Sequence, residues 1–292
     1  MKDILLIGST GQLGGSLLAC VPGDRIYAPS RSELDINDFA SATHCINTYQ
    51  PRIVVNTAAF HNVPLCEEEP SRAMEVNCFA VYRLASLCAK QNIRLITFST
   101  DYVFDGEQQT PYLETDIPAP LQMYGISRLA GEHAAIATAP DHAYVVRTCG
   151  LYGEQGATSK GGNFVDKRVA DAKQIRTLDI SSDQTVIPTN SEDLAKAVIA
   201  LIDCADAQPG IYHLVNQGQC TWAEFTLAIF EECGLSTVVN PVDRGGLSGS
   251  MRRPRYSVLA NNRAAALGIE LPHWRDALKR YLSHKGLRTT TN

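Results

Sequence analysis

The chain opens with four apolar residues that run into regularly spaced glycines: Ile4-Leu5-Leu6-Ile7-Gly8-Ser9-Thr10-Gly11-Gln12-Leu13-Gly14. No other stretch restricts the fold as strongly. A short apolar run without alternation is what a parallel strand needs when both of its faces are covered. In the first βα turn of a dinucleotide-binding domain, Gly8 would permit the tight turn and Gly11 would let the backbone approach a pyrophosphate. Gly14 would let the next helix pack closely, with its N-terminal N–H groups aimed at the phosphates. The spacing is G-x-x-G-x-x-G, not the commoner G-x-G-x-x-G. Any βα turn can use glycine, so the motif alone leaves a plain structural turn open.

The rest of the first half repeats the pattern. Strands are expected at Asp3–Gly8, Arg25–Ala28, Arg52–Asn56, Arg94–Ser99 and Ala143–Arg147. Helices are expected between them at about Gly11–Cys20, Ile36–Tyr49, Ser71–Gln91 and Tyr124–Thr138. Repeated βα units imply an α/β fold, a Rossmann-type doubly wound parallel sheet joined by right-handed crossovers. The second half is richer in glycine, proline and polar turns, at Gly153–Gly162, Asp183–Asn190, Gln208–Gly210 and Asp243–Pro254. Helices near Asn163–Lys173, Ser191–Asp203 and Trp222–Cys233, a strand at Ile211–Val215, and helical pieces at Asn261–Ala266 and Trp274–Ser283 complete it. This texture predicts a dinucleotide-binding domain over residues 1–150. A smaller C-terminal substrate-binding lobe over 151–292 would be interleaved with late elements of the first. Trp222 and Trp274 are expected to pack inside that lobe, and Thr289–Asn292 to fray.

Composition removes several classes. A net charge of −5 over 292 residues argues against a nucleic-acid partner. No apolar stretch approaches the roughly 18 residues of a membrane span. The N-terminus carries no signal-peptide pattern, so a cytoplasmic enzyme is expected. The nine cysteines are scattered, odd in number and without a C-x-x-C pair, which predicts free thiols rather than disulfides or a metal site.

Chemistry is expected where the fourth strand ends, at Ser99-Thr100-Asp101-Tyr102-Val103-Phe104-Asp105-Gly106. A helix starting near Tyr124 would place Tyr124 and Arg128 on one face, at i and i+4. A guanidinium beside a phenol favours the phenolate. Such a phenol could deliver a proton to a carbonyl oxygen while a hydride arrives at the carbon, with the Thr100 hydroxyl holding that oxygen.

With these residues in place, the chain resembles the extended short-chain dehydrogenase/reductases, and most closely the dTDP-4-dehydrorhamnose reductase family. The matching segments run nearly end to end. They include Gly8–Gly14, Arg31–Ile36, Asn56–Ala59, Val76-Asn77, Ser99–Gly106 and Tyr124–Glu132. Later ones are Arg147-Thr148, Gly162–Phe164, Asp183-Gln184, Pro188-Thr189, Arg253-Pro254 and Leu271–Arg275. The resemblance implies that Gly8, Thr10, Gly11, Gln12 and Leu13 cradle a cofactor pyrophosphate. It also implies that Asp35 and Ile36 flank an adenine, and that Ala58, Ala59, Asn77 and Ser99 line the ribose and nicotinamide side. Thr100, Tyr124 and Arg128 become catalytic, with Tyr124 as proton donor and with Tyr124 and Arg128 also against the cofactor. Asp101, Val103, His61, Val63, Gly150, Asn163 and Arg253 fall on the substrate side. The second strand ends Ala28-Pro29-Ser30-Arg31 with no acidic residue at its tip, so Ser30 and Arg31 are expected to accept a 2′-phosphate. That favours NADP(H), with NAD(H) the alternative.

The implied reaction is reduction of a nucleoside-diphosphate 4-keto-6-deoxy sugar, dTDP-4-dehydrorhamnose first among them. The resemblance also implies a homodimer. The chain departs from the family pattern in three places. The usual Tyr-x-x-x-Lys is Tyr-x-x-x-Arg, ending at Arg128, and this exchange is not conservative. The usual Arg-Thr-Ser-Trp-Val-Tyr reads Arg147-Thr148-Cys149-Gly150-Leu151-Tyr152. The usual Tyr-Thr-Ala-Val-Asp reads Phe60-His61-Asn62-Val63-Pro64. Two alternatives follow: a non-catalytic NADP-binding regulatory subunit, like that of methionine adenosyltransferase, and a sugar-nucleotide epimerase or dehydratase. Glu67-Glu68-Glu69 could bind Mg²⁺, or could form an acidic start to the following helix.

Overall fold

The computed structural model describes residues 3–154, 162–249 and 251–289. Most of the expected turn Gly153–Gly162 and the last three residues of Thr289–Asn292 lie outside the described residues.

The apolar runs form one parallel sheet. Strands β1 (Ile4–Ile7), β2 (Ile26–Tyr27), β3 (Ile53–Asn56), β4 (Arg94–Thr100) and β5 (Ala143–Thr148) are joined by a late strand, Gly210–His213. Across the sheet the order is Gly210–His213, β5, β4, β3, β1, β2. Leu5 pairs with Tyr27 on one side and Val54 on the other, and Thr100 pairs with Thr148. The strands therefore finish along one edge. The winding reverses between β1 and β3, which is where an open α/β sheet leaves a crevice.

Helices cover both faces, which is why the strands read as continuous apolar runs. They are α1 (Gln12–Cys20), α2 (Phe39–Tyr49), α3 (Val63–Glu68), α4 (Pro70–Met74), α5 (Ala80–Lys90) and α6 (Met123–Thr138). Ile4, Leu6, Ile53, Val55, Ile96 and Val146 pack under α1 and the helix Ser191–Asp203. The alternate residues Leu5, Ile7, Val54, Leu95 and Val145 pack under α2, α5 and α6. Helix α2 starts at Phe39, not Ile36, because the Asp38 carboxylate accepts the Ala40 N–H and caps it there. The long helix expected over Ser71–Gln91 is broken by a π-helical turn, Glu75–Phe79, between α4 and α5.

A second core gathers Tyr152, Val165, Phe225, Ile229, Trp274 and Tyr281, with Trp222 at its margin. A third cluster joins the turn after β4 to the later chain through Val103, Phe104, Tyr112, Cys149, Ile187 and Val258. None of the nine cysteines is in a disulfide. Among the described residues, no helix is long and apolar enough to cross a membrane.

Candidate active site

At the carboxyl edge, β4 ends on Thr100, which caps a short 3-10 turn (Asp101–Val103). Its hydroxyl oxygen accepts the Tyr102 N–H at 3.2 Å, and its proton goes to Asp101 Oδ1 at 3.0 Å. Burial pushes the Asp101 carboxyl above the usual carboxylate range, against the opposing pull of nearby Ser257 and Cys149 and of the Thr100 hydroxyl bonded to it.

Tyr124 lies in the first turn of α6. Gln122 caps that helix by accepting the Gly125 N–H at 2.7 Å, and Glu67 Oε1 accepts the Met123 N–H at 2.6 Å. Gly125 lets the helix start lie directly on the turn after β4, since a Cβ there would meet the Tyr102 carbonyl oxygen at 2.1 Å. Thr100 and Tyr124 are thereby brought together. Tyr102 closes the group edge-on, its ring centroid 6.1 Å from that of Tyr124. Arg253 Nη1 donates to the Tyr102 hydroxyl at 3.2 Å, so Arg253 reaches this site from the far end of the chain.

Arg128 is one helical turn on, its guanidinium carbon 6.0 Å from the Tyr124 ring centroid. Its Nη2 donates to the Phe98 carbonyl at 2.5 Å and its Nη1 to Asn77 Oδ1 at 3.5 Å, while its buried Nε has no protein partner. The expectation of a phenol lowered by this cation is corrected. Burial outweighs Arg128, and the Tyr124 hydroxyl is pushed above its ordinary value.

The cofactor side is built on the glycine turn. Gly8 has φ +86°, and a Cβ on it would meet Thr57 Oγ1 at 2.6 Å and the Ala58 nitrogen at 2.9 Å. The turn thus sits hard against the loop after β3, at the sheet's reversal point. Helix α1 has Gly11 as its N-cap residue and so no side-chain cap. The outer side of Gly11 is open, as an added Cβ would meet only the Gly8 carbonyl oxygen, at 3.5 Å. An uncapped helix N-terminus behind an open glycine fits a dinucleotide pyrophosphate. Thr10 is exposed there, and Gln12 Oε1 is buried without a partner. Leu13 turns its side chain into the core and can offer only its backbone. Ala58 and Ala59 line the loop after β3 with partial exposure, and the Ser99 hydroxyl is buried without a partner.

Several expected roles change. The Asn77 side chain holds protein rather than an open edge. It accepts the Phe60 N–H and donates to the Phe60 carbonyl, both at 2.9 Å, and donates to Ser127 Oγ at 3.0 Å. The Ser30 donors are engaged, whereas Arg31 stays exposed and holds Asp35 through its Nε. The Ser30 N–H and hydroxyl donate to Glu33 Oε2 at 2.8 and 2.7 Å, and Arg31 pairs with Asp35 at 3.2 Å. Asp35 also accepts the Asn37 N–H, and Ile36 is buried.

On the substrate side, the Val103 side chain is enclosed in the third cluster and the Val63 side chain is buried. Asp101 turns toward Thr100, Cys149 and Ser257. Asn163 is committed as the cap of the helix Phe164–Ala172, with its amide on the Gly153 carbonyl and the Tyr281 hydroxyl. Gly150 holds φ +55° against the Ile187 carbonyl, 2.9 Å from where a Cβ would sit, so a side chain there would be strained. His61 stays at a partly exposed loop position, with Nδ1 3.4 Å from the Ala59 carbonyl.

The acidic run is also reassigned. Glu67 serves the start of α6, not the helix that follows it in sequence, and Glu69 pairs with Arg72 at 3.0 Å. Among the described residues, no group of three or more His, Cys, Asp or Glu side chains could hold a metal.

The RmlD substrate binding domain model matches residues 1–286. The chain belongs to that family. Spore coat polysaccharide biosynthesis protein SpsK of Bacillus subtilis is 37% identical over 287 residues, covering 98% of each chain. The dTDP-4-dehydrorhamnose reductase of Streptomyces griseus is 37% identical over 281 residues, covering 94% of this chain and 91% of the relative. The crystal structure of dTDP-4-dehydrorhamnose reductase from Bacillus anthracis in complex with NADP aligns with a TM-score of 0.90 at 30% identity, covering 97% of this chain and all of that one. The family match and these reductases bear out the expected resemblance, and the parallel six-stranded sheet with its structural likeness bears out the doubly wound fold.

Tyr102 was missed in the sequence, and Glu67 was read for Mg²⁺ or the following helix, not for the start of α6. Tyr102 stood between two chosen residues. A strand's two-residue period extended past Thr100 would have put Thr100 and Tyr102 on the same side and Asp101 and Val103 on the other.

Proposed function

We propose that this RmlD-family chain reduces a nucleoside-diphosphate-linked 4-keto-6-deoxy sugar, converting dTDP-4-dehydrorhamnose to dTDP-L-rhamnose with NADPH or NADH. The observation that carries this reading is the Thr100–Tyr124 pair at the carboxyl edge of a sheet whose open glycine turn fits a dinucleotide. The names of the relatives and the NADP complex of the Bacillus anthracis enzyme support it.

A bound nicotinamide would supply the hydride to the sugar C4. Tyr124 then provides the proton that the C4 oxygen takes up as the carbonyl becomes an alcohol. A phenol raised by burial remains protonated at neutral pH and is ready as the donor. Thr100 fixes the turn beside it. Its proton goes to Asp101 and its oxygen accepts the Tyr102 N–H, and the single proton of the phenol is left for the sugar oxygen. Arg128 keeps a fixed positive charge under the site and anchors α6 to β4 through the Phe98 carbonyl. The Tyr102–Arg253 contact puts a cation on the sugar-nucleotide side, where a diphosphate needs one. We place that substrate between the sheet edge and the lobe after residue 150. A homodimer and a cytoplasmic setting belong to the same proposal.

The test is turnover. Purified protein is mixed with NADPH and a panel of nucleoside-diphosphate 4-keto sugars, and the loss of reduced-nicotinamide absorbance is followed. Oxidation with dTDP-4-dehydrorhamnose and not with the 4-hydroxy sugars is expected. Tight NADPH binding without turnover on any keto sugar would replace this reading with a regulatory one.

A further inference from the structure

Tyr124 belongs to a helix whose first turn is held from outside. The loop after β3 carries Ala58 and Ala59 and runs on into α3. There the Asn62 side chain accepts the Leu65 N–H at 3.4 Å, and the Cys66 thiol donates to the Phe60 carbonyl at 3.5 Å. Loop and α3 therefore form one body, and Asn77 fastens both backbone groups of Phe60 in it. Hydrogen bonds tie this body to α6. Two are buried and meet the second turn of the helix: Asn77 donates to Ser127 Oγ at 3.0 Å and accepts from Arg128 at 3.5 Å. Another lies at the very start of α6, where Glu67 Oε1 accepts the Met123 N–H at 2.6 Å across 56 residues of chain. The first N–H groups of a helix have no partner inside it, and a carboxylate there also meets the positive end of the helix dipole. Gln122 takes the Gly125 N–H. Tyr124 thus stands between two captured amides, one held by the helix's own cap and one by the body that carries Ala58 and Ala59.

We propose that Glu67 is a positioning residue for the reduction: its carboxylate fixes the first turn of α6 against the loop after β3, and so sets the reach of the Tyr124 hydroxyl toward the nicotinamide and the sugar oxygen. This deepens the reading of Tyr124 as proton donor and rests on it. The bond is exposed, joins two separate segments and is short, as a charge-assisted hydrogen bond should be. The buried ties through Asn77 hold the second turn, so the folding of α6 does not depend on Glu67, but the placement of its first turn does. A displacement of about 1 Å at a reacting group costs about 10²-fold in rate, whereas other groups set the affinity for cofactor and sugar nucleotide. Glu68, next in the chain, is exposed and provides a comparison of equal charge.

The test compares the wild type with Glu67→Ala, Glu67→Gln and Glu68→Ala in the whole chain. It measures kcat and KM for dTDP-4-dehydrorhamnose at saturating NADPH, NADP⁺ binding by calorimetry, melting curves, and hydrogen exchange at the Met123 amide. Glu67→Ala should lower kcat about ten- to hundredfold while KM and NADP⁺ affinity move by no more than about threefold. Glu67→Gln keeps an oxygen for the Met123 N–H and should restore most of the lost rate, and Glu68→Ala should match the wild type. Exchange at Met123 should quicken in Glu67→Ala and not in Glu68→Ala. An active wild type would overturn the assignment of Glu67 alone in any of three cases: Glu67→Ala is equally fast, Glu67→Gln is as slow as Glu67→Ala, or kcat falls only in proportion to the unfolded fraction. A folded wild type that turns over no 4-keto sugar would overturn the reduction reading and this inference with it.

Discussion

Tyr124 and Arg128 were legible as a pair because helical spacing places i and i+4 on one face. Their electrostatic relation was not legible, because sequence gives spacing but not burial. Burial raises the phenol against the pull of Arg128, and a general acid works while protonated. Reduction should therefore hold steady through neutral pH and decline only as pH rises through a phenol pKa above 10, which a pH–rate profile would show. Tyr124→Phe should lower kcat by roughly 10²–10⁴ while leaving NADPH affinity near normal; undiminished turnover would remove Tyr124 from the acid role. Arg128 holds the Phe98 carbonyl and Asn77 together, and an ammonium cannot match that fork. Arg128→Lys should cost about 1–3 kcal/mol of stability by urea titration, with a fall in kcat. A fully stable, faster variant would show that the guanidinium geometry is dispensable.

Among the elements, the strands were readable from their apolar runs, and the glycine turn from its spacing. The π-helical turn was not readable. It exists because Asn77 must face inward to hold both backbone groups of Phe60 while α5 keeps its apolar face on the sheet. Asn77→Ala frees the Phe60 loop and removes a support of Arg128, so it should destabilise by about 2–4 kcal/mol. A raised KM for the cofactor should accompany that loss. Helix α6 has a second anchor one turn beyond Arg128. Arg147 of β5 meets Glu132 in a fully buried pair, with Nη2 to Oε2 at 2.6 Å and Nε to Oε1 at 2.9 Å. Removing one partner leaves a buried charge, so Glu132→Ala should cost about 3–5 kcal/mol. The resemblance carries the sheet-edge residues by position because backbone geometry repeats within a fold. Where Asn163, Val103 and Ser30 point is decided by side-chain partners that a motif does not show, Tyr281 and Val258 from distant segments and Glu33 three residues on.

At the scale of the molecule, the later chain threads back into the first sheet through Gly210–His213, carrying His213 into the interior. Burial, with Arg147 nearby, lowers the His213 pKa to about 3. A histidine that is harder to protonate when folded stabilises fully at neutral pH, and that contribution is lost as pH falls from about 6.5 towards about 3. Asp101, raised by burial, acts in the opposite sense, so the informative quantity is a difference between two proteins. Between pH 7 and 4.5 the wild type should lose about 2–3 kcal/mol more than His213→Gln, measured by urea unfolding at each pH. The central claim is that this fold holds a nicotinamide against a keto sugar with Tyr124 as the proton source. The most direct measurement supplies NADH deuterated at the transferring position of C4 with dTDP-4-dehydrorhamnose and locates the label by NMR. Deuterium at C4 of the product sugar is the expected result. Label retained on the cofactor, with the sugar unchanged or altered at another carbon, would contradict the account.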